Sequence, residues 1–182
     1  YAQLKQNNAS EALSILNTAA LMMPDTHPQA PMISTLLAIA YHIVGDKDNA
    51  DKYFERADQL SKTGLQAMMQ VAGMLADFNV RIDLAKNKIS AAPMREVKDP
   101  FPLGTAAQID FRTKDYSSAV KWVEKAIANG GLKYPSITEL AGNVYYMVKQ
   151  PEKALNYWNM AKKMGVSSTV LDQKISTRAY VQ

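Results

Sequence analysis

The chain has no cysteine. That removes a disulfide framework, a thiolate metal site and a cysteine nucleophile together. It leaves the compartment open, because a cysteine-free chain suits cytosol and periplasm alike. No run approaches the roughly 18 apolar residues of a membrane span. The opening YAQLKQNNAS, polar and without an initiating Met, reads as that of a mature product or a cut fragment with any targeting segment upstream. No segment carries five consecutive like charges. Only two histidines occur, His27 and His42, and neither has a second histidine at metal spacing. H-E-x-x-H, G-x-G-x-x-G, G-K-[ST] and G-x-S-x-G are all missing. The carboxylates are not set apart from ordinary helix-surface charge. The expectation is therefore a protein that is not an enzyme and holds no cofactor or metal.

What is present fits one ordinary domain: 182 residues, 47% hydrophobic, 21% charged with the signs mixed. The net charge of +4 is graded, from −1 over 1–30 to +3 over 135–182. A nucleic-acid footprint gathers its basic residues on one face. The nearest approach here is Lys162-Lys163, near a helix end where cations also suit the helix dipole. The sequon Asn8-Ala9-Ser10 is explained equally well by a polar helix start.

The stretch LAGNVYYMVKQPEKALNYWNMAKKMG, residues 140–165, interrupts large apolar and aromatic residues with Gly142, Ala154 and Ala161. Its second half, Ala154-Trp158-Ala161, recurs as Ala119-Val123-Ala126, Ala85-Ile89-Ala92, Ala50-Phe54-Ala57 and Ala12-Leu16-Ala19. The leading alanines lie 38, 35, 34 and 35 residues apart, a period that marks a stacked repeat array. Twelve and thirteen residues upstream of four of them stand the pairs Leu37-Ala38, Ala72-Gly73, Ala106-Ala107 and Ala141-Gly142. Spacings of three, four and seven place residues on one helical face. Each unit is therefore two helices, whose small residues allow close backbone approach while the large ones fill the grooves between.

These features resemble the tetratricopeptide repeat family, whose signature is W-x2-L-G-x2-Y followed by A-x3-F, A and P. The unit over 135–168 matches with Ala141, Gly142, Tyr145, Ala154, Trp158 and Ala161. The unit over 31–65 matches with Leu37, Ala38, Tyr41, Ala50, Phe54 and Ala57, and its turn is GDKDN. The signature Trp is replaced by Ser34, Met69, Leu103 and Thr138, and Asp110 stands where an aromatic is expected. The resemblance implies an all-α fold, a right-handed superhelix (α-solenoid) of antiparallel helix pairs. It implies a single solenoid over 1–182: a partial repeat at 1–30, repeats at 31–65, 66–99, 100–134 and 135–168, and a capping helix at 169–182. In that helix Val170, Leu171 and Ile175 form the apolar stripe, with Ser168 as N-cap and Asp172, Gln173, Lys174 and Arg178 outside. The proline-rich joints 24–31 and 93–102 act as connectors. The partial repeat would leave an apolar face uncovered, so further repeats or a neighbouring chain are expected at the N-terminal end.

The resemblance further implies a non-catalytic protein–protein interaction scaffold that binds a peptide or helix in a concave groove. The family's groove positions carry over to Ile39, His42, Met74, Asp77, Gln108, Phe111, Arg112, Asn143 and Tyr146. Their mix of Met, Ile and aromatic side chains suits an apolar or amphipathic partner. Phe111 and Tyr146 are the favoured contacts. Glu139 stands where the carboxylate clamp of chaperone-binding members needs Lys, so no such clamp is expected. The alternative, a helical-repeat nucleic-acid-binding module, lacks a basic face.

Overall fold

The computed structural model describes residues 1–181. Among them every regular element is helical and no strand occurs. They fall into two compact units, one formed by Tyr1–Ala92 and one beginning at Pro93. The first contains α1 (Ala2–Lys5), α2 (Ala9–Met22), α3 (Ala30–Ile43), α4 (Lys47–Ser61), α5 (Leu65–Asp77) and α6 (Ile82–Ala91). The second contains α7 (Pro100–Arg112), α8 (Tyr116–Ala128), α9 (Pro135–Met147), α10 (Pro151–Lys163) and α11 (Thr169–Thr177). Consecutive helices pack as the pairs α3–α4, α5–α6, α7–α8 and α9–α10. Within each unit neighbouring pairs meet through their first helices, α3 on α5 and α7 on α9, and through the second helix of one pair against the first of the next, α4 on α5 and α8 on α9.

Local chemistry sets the helix ends. Asp46, Asp99 and Asp115 cap α4, α7 and α8 by accepting from the backbone N–H of Asn49, Phe101 and Ser118 at 3.1, 3.0 and 3.2 Å. Ser168 accepts from Leu171 N–H at 3.4 Å and starts α11. Prolines stand in the first turn of α3, α7, α9 and α10, where the missing N–H costs nothing. The reversal between paired helices is a backbone device. Asn7, Gly45, Lys114 and Lys149 all have positive φ (64°, 82°, 62° and 63°). Each stands five residues before its leading alanine. The next residue donates its N–H to the carbonyl five residues back, as in Asp46→Tyr41 (3.0 Å), Asp115→Asp110 (2.8 Å) and Gln150→Tyr145 (3.0 Å). The α5–α6 turn keeps the same bond, Val80→Leu75 at 2.9 Å after Asn79 (φ 52°), but Asn79 stands six residues before its leading alanine and Arg81 also has positive φ (45°).

The repeated alanines are the contact points. Ala50, Ala85, Ala119 and Ala154 are all 2% exposed or less. At Gly142 an added Cβ would lie 2.3 Å from the Trp158 ring and 3.0 Å from the Ala154 carbonyl. The glycine is there because the fully buried indole lies directly against the α9 backbone. The other tryptophan, Trp122 on α8, is half-buried in the same unit.

Two expectations need correcting. Ala92 falls beyond α6 in extended backbone, so that unit has no second alanine at its helix contact; α6 is only 10 residues long. Lys174 does not face solvent: it is buried, and its ammonium donates to Glu139 of α9 at 2.8 Å. Its long apolar stem packs inside while the carboxylate satisfies the charge. At the other end α2 leaves Ile15, Leu21 and Met22 exposed.

Candidate protein-interaction faces

In the first unit the expected groove residues lie on α3 and α5. Ile39 is fully buried, so its side chain offers no surface to a partner. His42 is exposed, its ring edge-on to Phe54 with centroids 6.5 Å apart. Met74 is half-buried. Asp77 is engaged by the chain's own first residues. The Tyr1 hydroxyl donates to its carboxylate at 2.6 Å, and the Lys5 ammonium to its backbone carbonyl at 2.9 Å. The neighbouring Phe78 ring meets Tyr1 edge-on at 5.4 Å and carries the Lys5 ammonium at 4.4 Å. Burial, then the hydrogen bond and charge of Asp77, push the Tyr1 hydroxyl above its ordinary pKa.

In the second unit the residues lie on α7 and α9. Gln108 is half-buried and Arg112 exposed. Phe111 is 8% exposed, held between Tyr116 (5.7 Å) and Tyr180 (5.5 Å). The favoured contact residue is thus covered by the segment that follows α11. Asn143 is turned inward and accepts from the Trp158 indole N–H at 3.0 Å. Tyr146 is half-buried, its ring 5.8 Å from Trp158. Glu139, at the clamp position, is taken by Lys174.

Tyrosines tie the pairs together in a way the sequence reading missed. Tyr41 stacks on Tyr53 and Tyr145 on Tyr157, with centroids 5.6 and 5.4 Å apart and planes 7° apart in both. Tyr41 accepts from the Asn17 amide at 3.2 Å, and Tyr145 donates to Glu124 at 2.9 Å. Asn17 and Glu124 each stand five residues after a leading alanine, on the second helix of the preceding unit. The signal was present as a tyrosine pair twelve apart in both regular units. Burial, then Glu124, raises the Tyr145 hydroxyl above its ordinary pKa.

In the α5–α6 pair the corresponding positions are the buried Ala76 and Lys88, and a separate cleft of about 420 Å³ lies beside this pair along α4. It is lined by Asp51, Phe54, Glu55 and Asp58 of α4, facing Arg81 and Leu84. Lys88 is buried and donates to Asp58 and Ser61, both at 2.6 Å. Burial alone would raise the Asp58 pKa. The hydrogen bond and charge of Lys88, helped by Lys62, outweigh burial and hold it below the usual carboxylate value. Among the described residues no group of three or more His, Asp or Glu is placed to hold a metal. No described helix is long and apolar enough to cross a membrane.

Neither a family model nor a curated protein sequence matches the chain. Solved structures do. PilW, a widely conserved type IV pilus biogenesis factor, has TM-score 0.65 and 12% identity over 97% of this chain and 81% of its own. PilF of Pseudomonas aeruginosa has TM-score 0.60 and 15% identity over 97% and 79%. A double mutant of MamA RS-1 has TM-score 0.56 and 15% identity over 90% and 88%. All three contain tetratricopeptide repeats. The fold is of the tetratricopeptide type. At these identities the likeness concerns the fold and carries nothing about partners. Within the tetratricopeptide fold, the first helices of the pairs bring His42, Met74 and Asp77 to one unit, and Gln108, Phe111, Arg112 and Tyr146 to the other. Ile39 is buried, and Asn143 is half-buried and bonded to the Trp158 indole.

Proposed function

We propose that the protein is a non-catalytic interaction scaffold that holds a peptide or helical segment of a partner protein against the first helices of its pairs. One observation carries this reading. These helices are fully buried along one side, at Leu37, Ala38, Ala72, Ala107 and Ala141, yet keep a mixed apolar and polar set accessible. His42 and Arg112 are exposed, and Met74, Gln108 and Tyr146 half-buried. Such a mixture suits an amphipathic segment, with Met and Tyr for its apolar side and His, Gln and Arg for its polar edge. Further repeats or a neighbouring chain would cover the exposed Ile15, Leu21 and Met22 of α2.

Photo-crosslinking groups at positions 42 and 112, compared with groups at Lys52 and Lys121 on the second helices, test the proposal in the native cell. Partner adducts are expected from 42 and 112. Adducts from 52 and 121 alone would move the site to the other side. The double variant Phe111→Ala/Tyr146→Ala should lower the yield at 112 at least about tenfold while helicity is retained. Salt-sensitive retention of RNA or DNA in place of a protein adduct would overturn the scaffold reading.

A further inference from the structure

The turn inside each pair needs one residue of positive φ, and the two units fill that place differently. In the first unit it holds Asn7, Gly45 and Asn79 (φ 64°, 82° and 52°), residue types that enter the left-handed region at little cost. In the second it holds Lys114 and Lys149 (62° and 63°), whose Cβ crowds the backbone there. Their side chains do not offset this by bonding. Both are exposed, and among the described residues neither makes a side-chain hydrogen bond or ion pair. The same holds for Arg112, two residues before Lys114. Lys153, in the first turn of α10, is exposed with its ammonium 3.8 Å from the centre of the Tyr145 ring. Because α7 packs on α9, the two turns lie side by side at one edge of the unit, roughly 10 Å apart. The segments 112–118 and 147–153 each carry a net charge of +1, whereas the equivalent 43–49 carries −1 and 78–84 is neutral. Folding does not need these cations. What they supply is a basic edge.

We propose that this edge, formed by Arg112, Lys114, Lys149 and Lys153, is the contact for an acidic segment of a partner protein. The proposal rests on the scaffold reading for there being a partner, and adds the chemistry that selects it. A run of Asp or Glu lies beside the segment held on the first helices, whose C-terminal ends stop at these turns. Its carboxylates pair with the unbonded lysines and with the guanidinium, and the local potential steers the encounter. Asp115 and Glu152 stand among the cations. Discrete carboxylates arrange themselves around these two. The unbroken phosphate array of a nucleic acid, or the continuous charge of an anionic bilayer, meets them directly.

The test uses the full chain and a fluorescein-labelled oligoglutamate peptide, read by anisotropy at low and at physiological salt. Wild type should bind, more weakly as salt rises. Lys114→Gly/Lys149→Gly relieves the turns while removing both charges. It should bind at least about threefold more weakly, as the loss of two exposed pairs allows, yet unfold in no less urea than wild type. Lys114→Arg/Lys149→Arg should restore the affinity that glycine removes. Lys52→Ala/Lys121→Ala, the same charge change on the second helices, should bind as wild type does. No binding by wild type, unchanged binding by the glycine chain, or an equal loss in the Lys52→Ala/Lys121→Ala chain would each overturn the proposal. So would tighter binding, through the same two lysines, of single-stranded RNA or of vesicles containing phosphatidylserine. If adducts form at 42 and 112 but the lysine dependence is missing, only the acidic-segment chemistry falls. If no partner adduct forms, the scaffold reading falls, and this proposal with it.

Discussion

The pairs α9–α10 and α5–α6 occupy equivalent places in the repeat and are closed by different physics. In α9–α10 the work is done by rings. Trp158 lies against Gly142, Tyr145 stacks on Tyr157, and a hydroxyl reaches Glu124 of the preceding pair. In α5–α6 the two tyrosine positions are Ala76 and Lys88, and the second alanine, Ala92, lies outside the helix. Charge replaces the rings: the buried Lys88 is shared between Asp58 and Ser61, and a cleft stays open along α4. Small residues at matched intervals are thus enough to bring two helices together. How tightly one pair closes on the preceding one depends on what fills the space beyond them.

The sharpest way to break this comparison is at the equivalent large residues. Trp158→Ala should cost about 3–5 kcal/mol, and Ile89→Ala in α6 about 2 kcal/mol, by urea unfolding followed through helical circular dichroism. Equal costs would show that the ring-closed and charge-closed pairs do not differ in packing. Gly142→Ala should cost about 2 kcal/mol by forcing the indole away from the α9 backbone. A neutral result would mean that Trp158 moves aside freely.

Next comes the charge. Asp58→Asn should cost about 1–2 kcal/mol at neutral pH. It leaves the buried Lys88 without its carboxylate, and the figure is discounted because the Asp58 side chain is 33% exposed. Asp58 has a lowered pKa in the folded state. Its contribution is therefore complete above the unfolded value near 4 and is lost as pH falls through the folded one. The gap between wild type and Asp58→Asn should shrink on acidification below about pH 4 and stay constant from pH 6 to 8. A gap that is unchanged at pH 3 would remove the ion pair as its cause. The smallest effect is at the turns. Lys114→Gly and Lys149→Gly should each stabilise by about 0.5 kcal/mol, since glycine adopts positive φ without strain, less the entropy it adds to the unfolded chain. Destabilisation at both would mean that the lysine side chains contribute more than their backbone strain costs.

Much of the fold was legible because one physical requirement, close approach of helix backbones, repeats at a readable interval. Ala50, Ala85, Ala119 and Ala154 are buried for the reason that their spacing implies. The turns were less legible. Left-handed geometry there is held by the backbone bond pattern, and at Lys114 and Lys149 no glycine betrays it. The interaction faces were the least legible. Position numbers taken from the family place Ile39, Phe111 and Asn143 on the surface, but they carry no account of what else the chain lays over them or turns inward. Phe111 is covered by Tyr180, Asp77 is engaged by Tyr1 and Lys5, and Asn143 turns to the indole. The Tyr1 and Tyr180 contacts come from segments outside the intact repeats, so the repeat period is silent about them. Lys174 was misplaced for a related reason: on a helix wheel it belongs with the polar residues, but a carboxylate on α9 draws it inside.

The seating of Trp158 has a practical corollary. The chain's two tryptophans, Trp122 and Trp158, both belong to the unit that starts at Pro93, whereas the preceding 92 residues contain none. Intrinsic emission excited at the indole band is therefore a private optical channel for one half of the molecule, while amide absorption in the far ultraviolet reads both. Superimposed melting curves from the two signals would report a single cooperative transition, and separated curves would report two halves that come apart in turn.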